Sequence, residues 1–182
     1  MVGTKMSKDI LDNTLICICK ILNSANLKDW FICYGTLLGI IRENSCIDND
    51  DDIDIIISAK HYDIVKDLLI KNNFELETGY GIRHSKNILK TKTKTVDGKV
   101  KYASIDIYMS KHENENDVYD IWNRLLIKDC HLDNKKKNFI RKTWKGEVLY
   151  IPKRFIRILE NRYGKDWNIK QDKKFPQTMK IL

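Results

Sequence analysis

The sequence predicts an α+β domain built on a mixed β-sheet flanked by helices. Helical and strand periodicities follow one another without a regular βαβα alternation, and a two-residue turn, Asp97-Gly98, joins two β-patterned runs into a hairpin. The chain has 182 residues, 42% hydrophobic and 32% charged, with 8 Gly and 2 Pro. That suits one soluble domain spanning 1–182, with little room for linkers.

Ser7 caps a predicted helix over Lys8 to Ala25, in which Ile10, Leu11, Leu15, Ile18 and Leu22 recur at helical spacing. Trp30 to Tyr34 reads as a short apolar strand. Gly35 then turns the chain, and Thr36 is placed to cap a helix that ends near Arg42. Ile53 to Ile57 is a β-branched strand. Ser58 is the expected cap of a helix over His61 to Lys71, with Tyr62, Val65, Leu68 and Leu69 inward. Phe74 to Glu77 reads as a strand.

In the hairpin, "KTKTKTV" precedes Asp97-Gly98 and "KVKYASIDIYM" follows it. Lys90, Lys92 and Lys94 alternate with threonines and so share one face of a strand. Trp122, Leu125 and Leu126 mark a strand or short helix on the core. "GEVLYIP" is a strand ending at Pro152, and Lys153 to Arg162 a helix stopped by Gly164. The last twelve residues, 171–182, have the composition of a loose tail.

Five cysteines, with no CxxC pair, point to reduced thiols, and His61, His84, His112 and His131 lack the spacing of a zinc site. No segment has the apolar length of a signal peptide core or a membrane span, so a cytoplasmic protein is expected. Charge is uneven. From Lys135 onward there are 15 Lys/Arg against 4 Asp/Glu, whereas the first 134 residues carry 18 against 21. An acidic cluster between basic segments suits a metal ion with a polyanionic ligand.

That cluster is "DNDDDIDIII". Asp52 and Asp54 lie two apart at the start of a strand, so their carboxylates share one face while Ile53, Ile55 and Ile57 take the other. Carboxylates this close repel unless a cation joins them, and their oxygens are the ligands Mg²⁺ and Mn²⁺ prefer. Asp106 interrupts another apolar strand, which is reason to place it beside them. The three are the candidate catalytic and metal-binding residues. The Gly-Thr turn at Gly35 and Thr36 offers N–H groups and a hydroxyl to a phosphate. A solvated acidic loop accounts for Asp48 to Asp51 but not for Asp54 or Asp106 among isoleucines. An EF-hand fails, with Ile53 at the turn glycine and Ala59 at the closing acid.

These residues resemble the LicD family, which includes the fukutin-related proteins. Gly35-Thr36-Leu37-Leu38-Gly39, Arg42 and Asp50-Asp51-Asp52-Ile53-Asp54 follow the family pattern in order and spacing, and "IPKRFIRILENRYGKDW" is similar to its closing segment. Asp48-Asn49 stands where the family has Pro-Trp. The resemblance implies a nucleotidyltransferase fold and transfer of a phosphorylated alcohol, phosphocholine- or ribitol-phosphate-like, from a CDP-linked donor to a glycan hydroxyl. It implies Mg²⁺ or Mn²⁺ on Asp52, Asp54 and Asp106, with Asp50 behind them. Gly35 and Thr36 fall to the donor's phosphates, and Arg42 either neutralises charge there or pairs with an aspartate. One competing reading is a nucleotidyltransferase that places NMP from an NTP on a small molecule or RNA. Another is a non-catalytic nucleic-acid-binding module using Arg154, Arg157, Arg162, Trp144, Tyr150 and Trp167, against which those aromatics sit where a core wants them.

Overall fold

The computed structural model describes residues 4–79, 81–130, 132 and 139–170. The tail expected at 171–182 lies outside them. Among the described residues there are four α-helices, a mixed six-stranded sheet and two separate hairpins.

Helix α1, Lys8–Ser24, starts where Ser7 Oγ accepts the Ile10 N–H and buries Leu11, Leu15, Ile18 and Leu22. Strand β1, Trp30–Ile32, ends two residues short of the expected Tyr34. Tyr34 takes a left-handed φ of 44° and opens helix α2, Tyr34–Arg42. Thr36 therefore lies inside the first turn rather than capping it.

Strand β2, Asp52–Ser58, pairs antiparallel with β1 on one side and parallel with β6, Ser104–His112, on the other. Both faces of β2 are covered, because Ile56 is as buried as Ile53, Ile55 and Ile57. A strand buried on both sides needs an apolar run rather than strict alternation, and the isoleucines supply it. Ser58 makes no capping bond. It precedes a 3₁₀ turn, Ala59–His61, and helix α3, Tyr62–Lys71, follows with Val65 and Leu69 buried.

The lysine-threonine segment is not one strand. Strand β3, Ile88–Lys90, pairs antiparallel with β6, so that Lys90 faces Asp106 in the register. The chain then breaks before β4, Lys94–Val96, which forms its own hairpin with β5, Lys99–Tyr102. Asp97 and Gly98, with φ of 50° and 72°, make that turn. The break comes at Thr91, whose hydroxyl accepts the Ile105 N–H. It separates the three lysines: Lys92 pairs with Glu75, and Lys94 donates to the Asn72 carbonyl at 3.0 Å. The strand expected at Phe74 to Glu77 shrinks to one bridge, Leu76 to Thr91, held by the Glu77 N–H on the Lys90 carbonyl and the Lys92 N–H on the Glu75 carbonyl where the lysine segment breaks.

Beyond β3, the far end of β6 pairs with β7, Val118–Asp120, and β7 with β8, Leu125–Ile127. Trp122 lies in the turn between them. A second hairpin, β9, Phe139–Trp144, with β10, Glu147–Pro152, packs on β1 and α1. Helix α4, Phe155–Tyr163, follows and ends at Gly164. It lies against α2. All five cysteines are free, and four are buried.

Candidate active site

The parallel register of β2 and β6 sets Asp54 directly beside Asp106, with Asp52 one step back beside Ser104. Adjacent strands run about 4.8 Å apart, so two carboxylates share one narrow shelf. Asp54 is 7% exposed and Asp106 6%.

Asp54 is held from several sides. Its Oδ2 accepts the Gly35 N–H at 3.1 Å and its Oδ1 the Tyr108 hydroxyl at 3.1 Å. Its own N–H donates to Thr36 Oγ1 at 2.8 Å, and its carbonyl accepts the Cys33 N–H at 3.2 Å. Thr36 thus ties α2 to β2 and is buried, rather than offering its hydroxyl to a ligand from the surface. Gly35 is required by close approach. A Cβ there would stand 2.7 Å from Asp50 Oδ2 and 3.5 Å from Asp54 Oδ2.

Asp106 is engaged by Lys90, whose Nζ lies 2.6 Å from Oδ1 and 2.8 Å from Oδ2, and which reaches Asp52 Oδ2 at 3.5 Å. One ammonium therefore serves two carboxylates. Burial, then repulsion from Asp106, pushes the Asp52 carboxyl up to about 7. Burial pushes Asp50 to about 6. Asp54 is driven well above the usual carboxylate range by burial, then by Asp52 and Asp106. Asp106 is raised by burial, against which Lys90 works. For Lys90, burial opposes the charge, but Asp106 and Asp52 outweigh it and raise its pKa.

This donor set fits a divalent cation. All the ligands are hard carboxylate oxygens, and their charge is only partly neutralised within the chain. Among the described residues, the tightest acidic group is Asp50, Asp51 and Asp52, whose oxygens lie within 4.8 Å of one another. Asp52 thus belongs both to that group and to the shelf with Asp54 and Asp106. Such an Asp50–52 cluster is consistent with the divalent metal site of nucleotidyltransferases.

Arg42 is paired with Glu43 at the far end of α2 from Gly35. The arginine found near the shelf is instead Arg162, the penultimate residue of α4. Its guanidinium stands 5.1 Å from the centre of the Tyr34 ring, and among the described residues no carboxylate pairs with it. Tyr34 is in turn fixed by donating to the buried Asp120, which also accepts from the Trp122 and Asn123 backbones and from Asn123 Nδ2. Edge-on packing against Tyr108, with ring centres 5.2 Å apart, joins this support to the carboxylates.

Tyr34, Tyr108, Asp120 and Arg162 were not assigned to the site by sequence reasoning. Only Tyr108 carried a signal, being two residues from Asp106 and so on its face. The nucleic-acid surface read from the C-terminal third is not assembled. Trp144 and Tyr150 are buried, Tyr150 packing edge-on against Trp30 at 5.0 Å. Arg157 is paired with Asp129. No helix among the described residues is long and apolar enough to cross a membrane.

A family model described as the LicD/FKTN/FKRP nucleotidyltransferase domain matches residues 28–157. No curated protein matches the chain. Among solved structures, a lincosamide antibiotic adenylyltransferase, LnuA, bound to lincomycin, aligns with a TM-score of 0.52 at 12% identity, covering 79% of this chain and 80% of that one. An antigenic nucleotidyltransferase-like protein from Paracoccidioides brasiliensis aligns with a TM-score of 0.51 at 16% identity. That alignment covers 81% of this chain and 62% of that one. At these identities the likeness is one of fold, and it agrees with the α+β architecture expected from the sequence.

Proposed function

Because this chain belongs to the LicD/FKTN/FKRP family of nucleotidyltransferase domains, we propose that it is a Mg²⁺- or Mn²⁺-dependent transferase that moves a phosphorylated alcohol from a CDP-linked donor to a glycan hydroxyl. The observation that carries this reading is the pairing of Asp54 with Asp106 across β2 and β6, with Asp52 beside them.

Asp52, Asp54 and Asp106 would hold the metal, which would neutralise charge on the donor's phosphates and make the phosphorus more electrophilic. Gly35, having no Cβ, leaves Asp50 and Asp54 their close positions. Thr36 and Tyr108 fix Asp54, so its carboxylate need not reorganise during the reaction. Arg162, braced on Tyr34, binds a phosphate oxygen. Asp106 orients the acceptor hydroxyl and takes its proton as the acceptor oxygen bonds to phosphorus. The bond from that phosphorus to the departing CMP oxygen breaks on the opposite side.

The likeness to an adenylyltransferase structure keeps one alternative in view, transfer of NMP from an NTP with release of pyrophosphate. Product analysis separates them. CMP from a CDP-alcohol supports the first, and pyrophosphate from an NTP would replace it with the second. A thermal-shift screen of CDP-alcohols and nucleotides, with and without Mg²⁺, identifies the donor class.

A further inference from the structure

Lys90 holds a position at odds with metal binding. Its ammonium donates to both oxygens of Asp106 and approaches Asp52, two of the carboxylates assigned to the cation. An ion drawing on those oxygens meets a positive charge already among them, and two cations a few ångströms apart repel strongly where little water screens them. Both cannot keep their full share of the same carboxylates.

The lysine is built to yield. Its side chain is 30% exposed, whereas the Asp106 side chain beneath it is 9% exposed. A four-carbon stem with a compact, strongly hydrated head swings toward solvent without repacking the core. Its neighbours are committed elsewhere. Lys92 pairs with Glu75, and Lys94 lies over the Phe74 ring, 5.0 Å from its centre. The broken lysine strand thus delivers one ammonium of the three to the carboxylates.

We propose that Lys90 is an internal counter-cation of the carboxylate shelf, which gives up Asp106 and Asp52 when a divalent ion arrives and turns its ammonium to the donor's phosphate. This rests on the metal-dependent reading above. Before loading, Lys90 relieves the repulsion that Asp52, Asp54 and Asp106 impose on the folded chain. After loading, it is a free cation beside the donor. Metal and donor then reinforce one another, because a phosphate that accepts the released ammonium offsets the cost of displacing it.

The test is Mn²⁺ affinity, by calorimetry without donor, in the wild type and in Lys90→Met, which keeps the stem and removes the charge. Removing the competitor should tighten Mn²⁺ binding about tenfold or more, since it leaves the carboxylates without a cation. Equal or weaker binding by Lys90→Met would overturn this inference and leave the metal-dependent reading standing. No Mn²⁺ binding by either protein would overturn both.

Unpaired carboxylates threaten the fold of that variant, so a second measurement uses the wild type. Lys90 should be acetylated by acetic anhydride several-fold faster with Mn²⁺ than without, read by mass spectrometry, while Lys92 keeps one rate as the internal reference. A Lys90 rate indifferent to Mn²⁺ would equally overturn the exchange.

Discussion

Asp54 and Asp106 are Cα partners in the parallel pairing of β2 with β6, and the Tyr108 hydroxyl lies 3.1 Å from Asp54 Oδ1 and 3.5 Å from Asp106 Oδ2. Two buried carboxylates and one phenol therefore form a single polar unit at the centre of the sheet. Substitution by Asn keeps the shape of either carboxylate and removes its charge. Asp54→Asn should abolish the rise in Tm that Mn²⁺ gives the wild type. Asp106→Asn should fold normally and lose roughly 10²-fold or more in turnover. An intact Mn²⁺ response in the first, or normal turnover in the second, would remove that residue from the site.

Gly35 and Gly39 lie one helical turn apart, yet their substitution should have different results. A Cβ at Gly39 would stand 2.6 Å from the Ser45 carbonyl oxygen and 2.9 Å from the Ile47 nitrogen, both backbone atoms. Gly39→Ala should therefore cost about 1–3 kcal/mol and lower Tm by roughly 2–12 °C. At Gly35 the clash is with the Asp50 carboxylate, which can turn. Gly35→Ala should keep most of its Tm and lose Mn²⁺ affinity. The reverse pattern, in thermal shift and metal titration, would show that the glycine approaches are misassigned.

The raised carboxyls predict how pH acts. Asp50 titrates at about 6 and Asp52 at about 7 in the folded chain, both above their ordinary value of 3.8. The folded state then binds protons more tightly than the unfolded state, so folding takes up protons between about pH 4 and 7. Stability of the metal-free protein should fall as pH rises through that window. Mn²⁺ must displace those protons, so its stabilising effect should grow over the same range. Denaturant melts from pH 4.5 to 8, with and without Mn²⁺, check both trends. A metal-free stability that climbs with pH would contradict the placement of these carboxyls.

Arg162 should matter for the donor and not for the metal. Hydrogen bonds to a charged group contribute roughly 1.5–3 kcal/mol, so Arg162→Met should raise the donor's KM by roughly 10- to 150-fold. Mn²⁺ affinity should stay unchanged. Arg162→Lys should recover only part of the loss, because a point charge replaces a planar fork. An unaltered KM would place Arg162 outside the donor site.

The legible part of this site was what strand alternation dictates. Asp52 and Asp54 had to share a face, and Asp106 among isoleucines had to have a reason. The Asp97-Gly98 turn was equally plain, because two consecutive positive φ values demand such residues. Contacts set by register were not legible. Nothing local distinguishes Lys90 from Lys92 and Lys94. Only the pairing of β3 with β6 and the break at Thr91 select it. Thr36 and Ser58 both looked like caps, since the hydroxyl that caps a helix also serves a cross-element bond, and Thr36 makes the latter to Asp54. Arg162 read as part of a basic surface because its approach to Tyr34 depends on how α4 packs against α2.

The parallel pairing of β2 with β6 also sets an order in time. Parallel neighbours need a long crossover, here holding α3, β3 and the β4–β5 hairpin. Closing so large a loop is slow compared with forming a helix or a hairpin. During synthesis Asp52 and Asp54 leave the ribosome well before Asp106, and Arg162 follows later still. A nascent chain thus carries its acidic motif for some time as an ordinary hydrated loop. It gains its paired carboxylates only when its central strand docks. The carboxylate cluster is in effect a readout of completed folding.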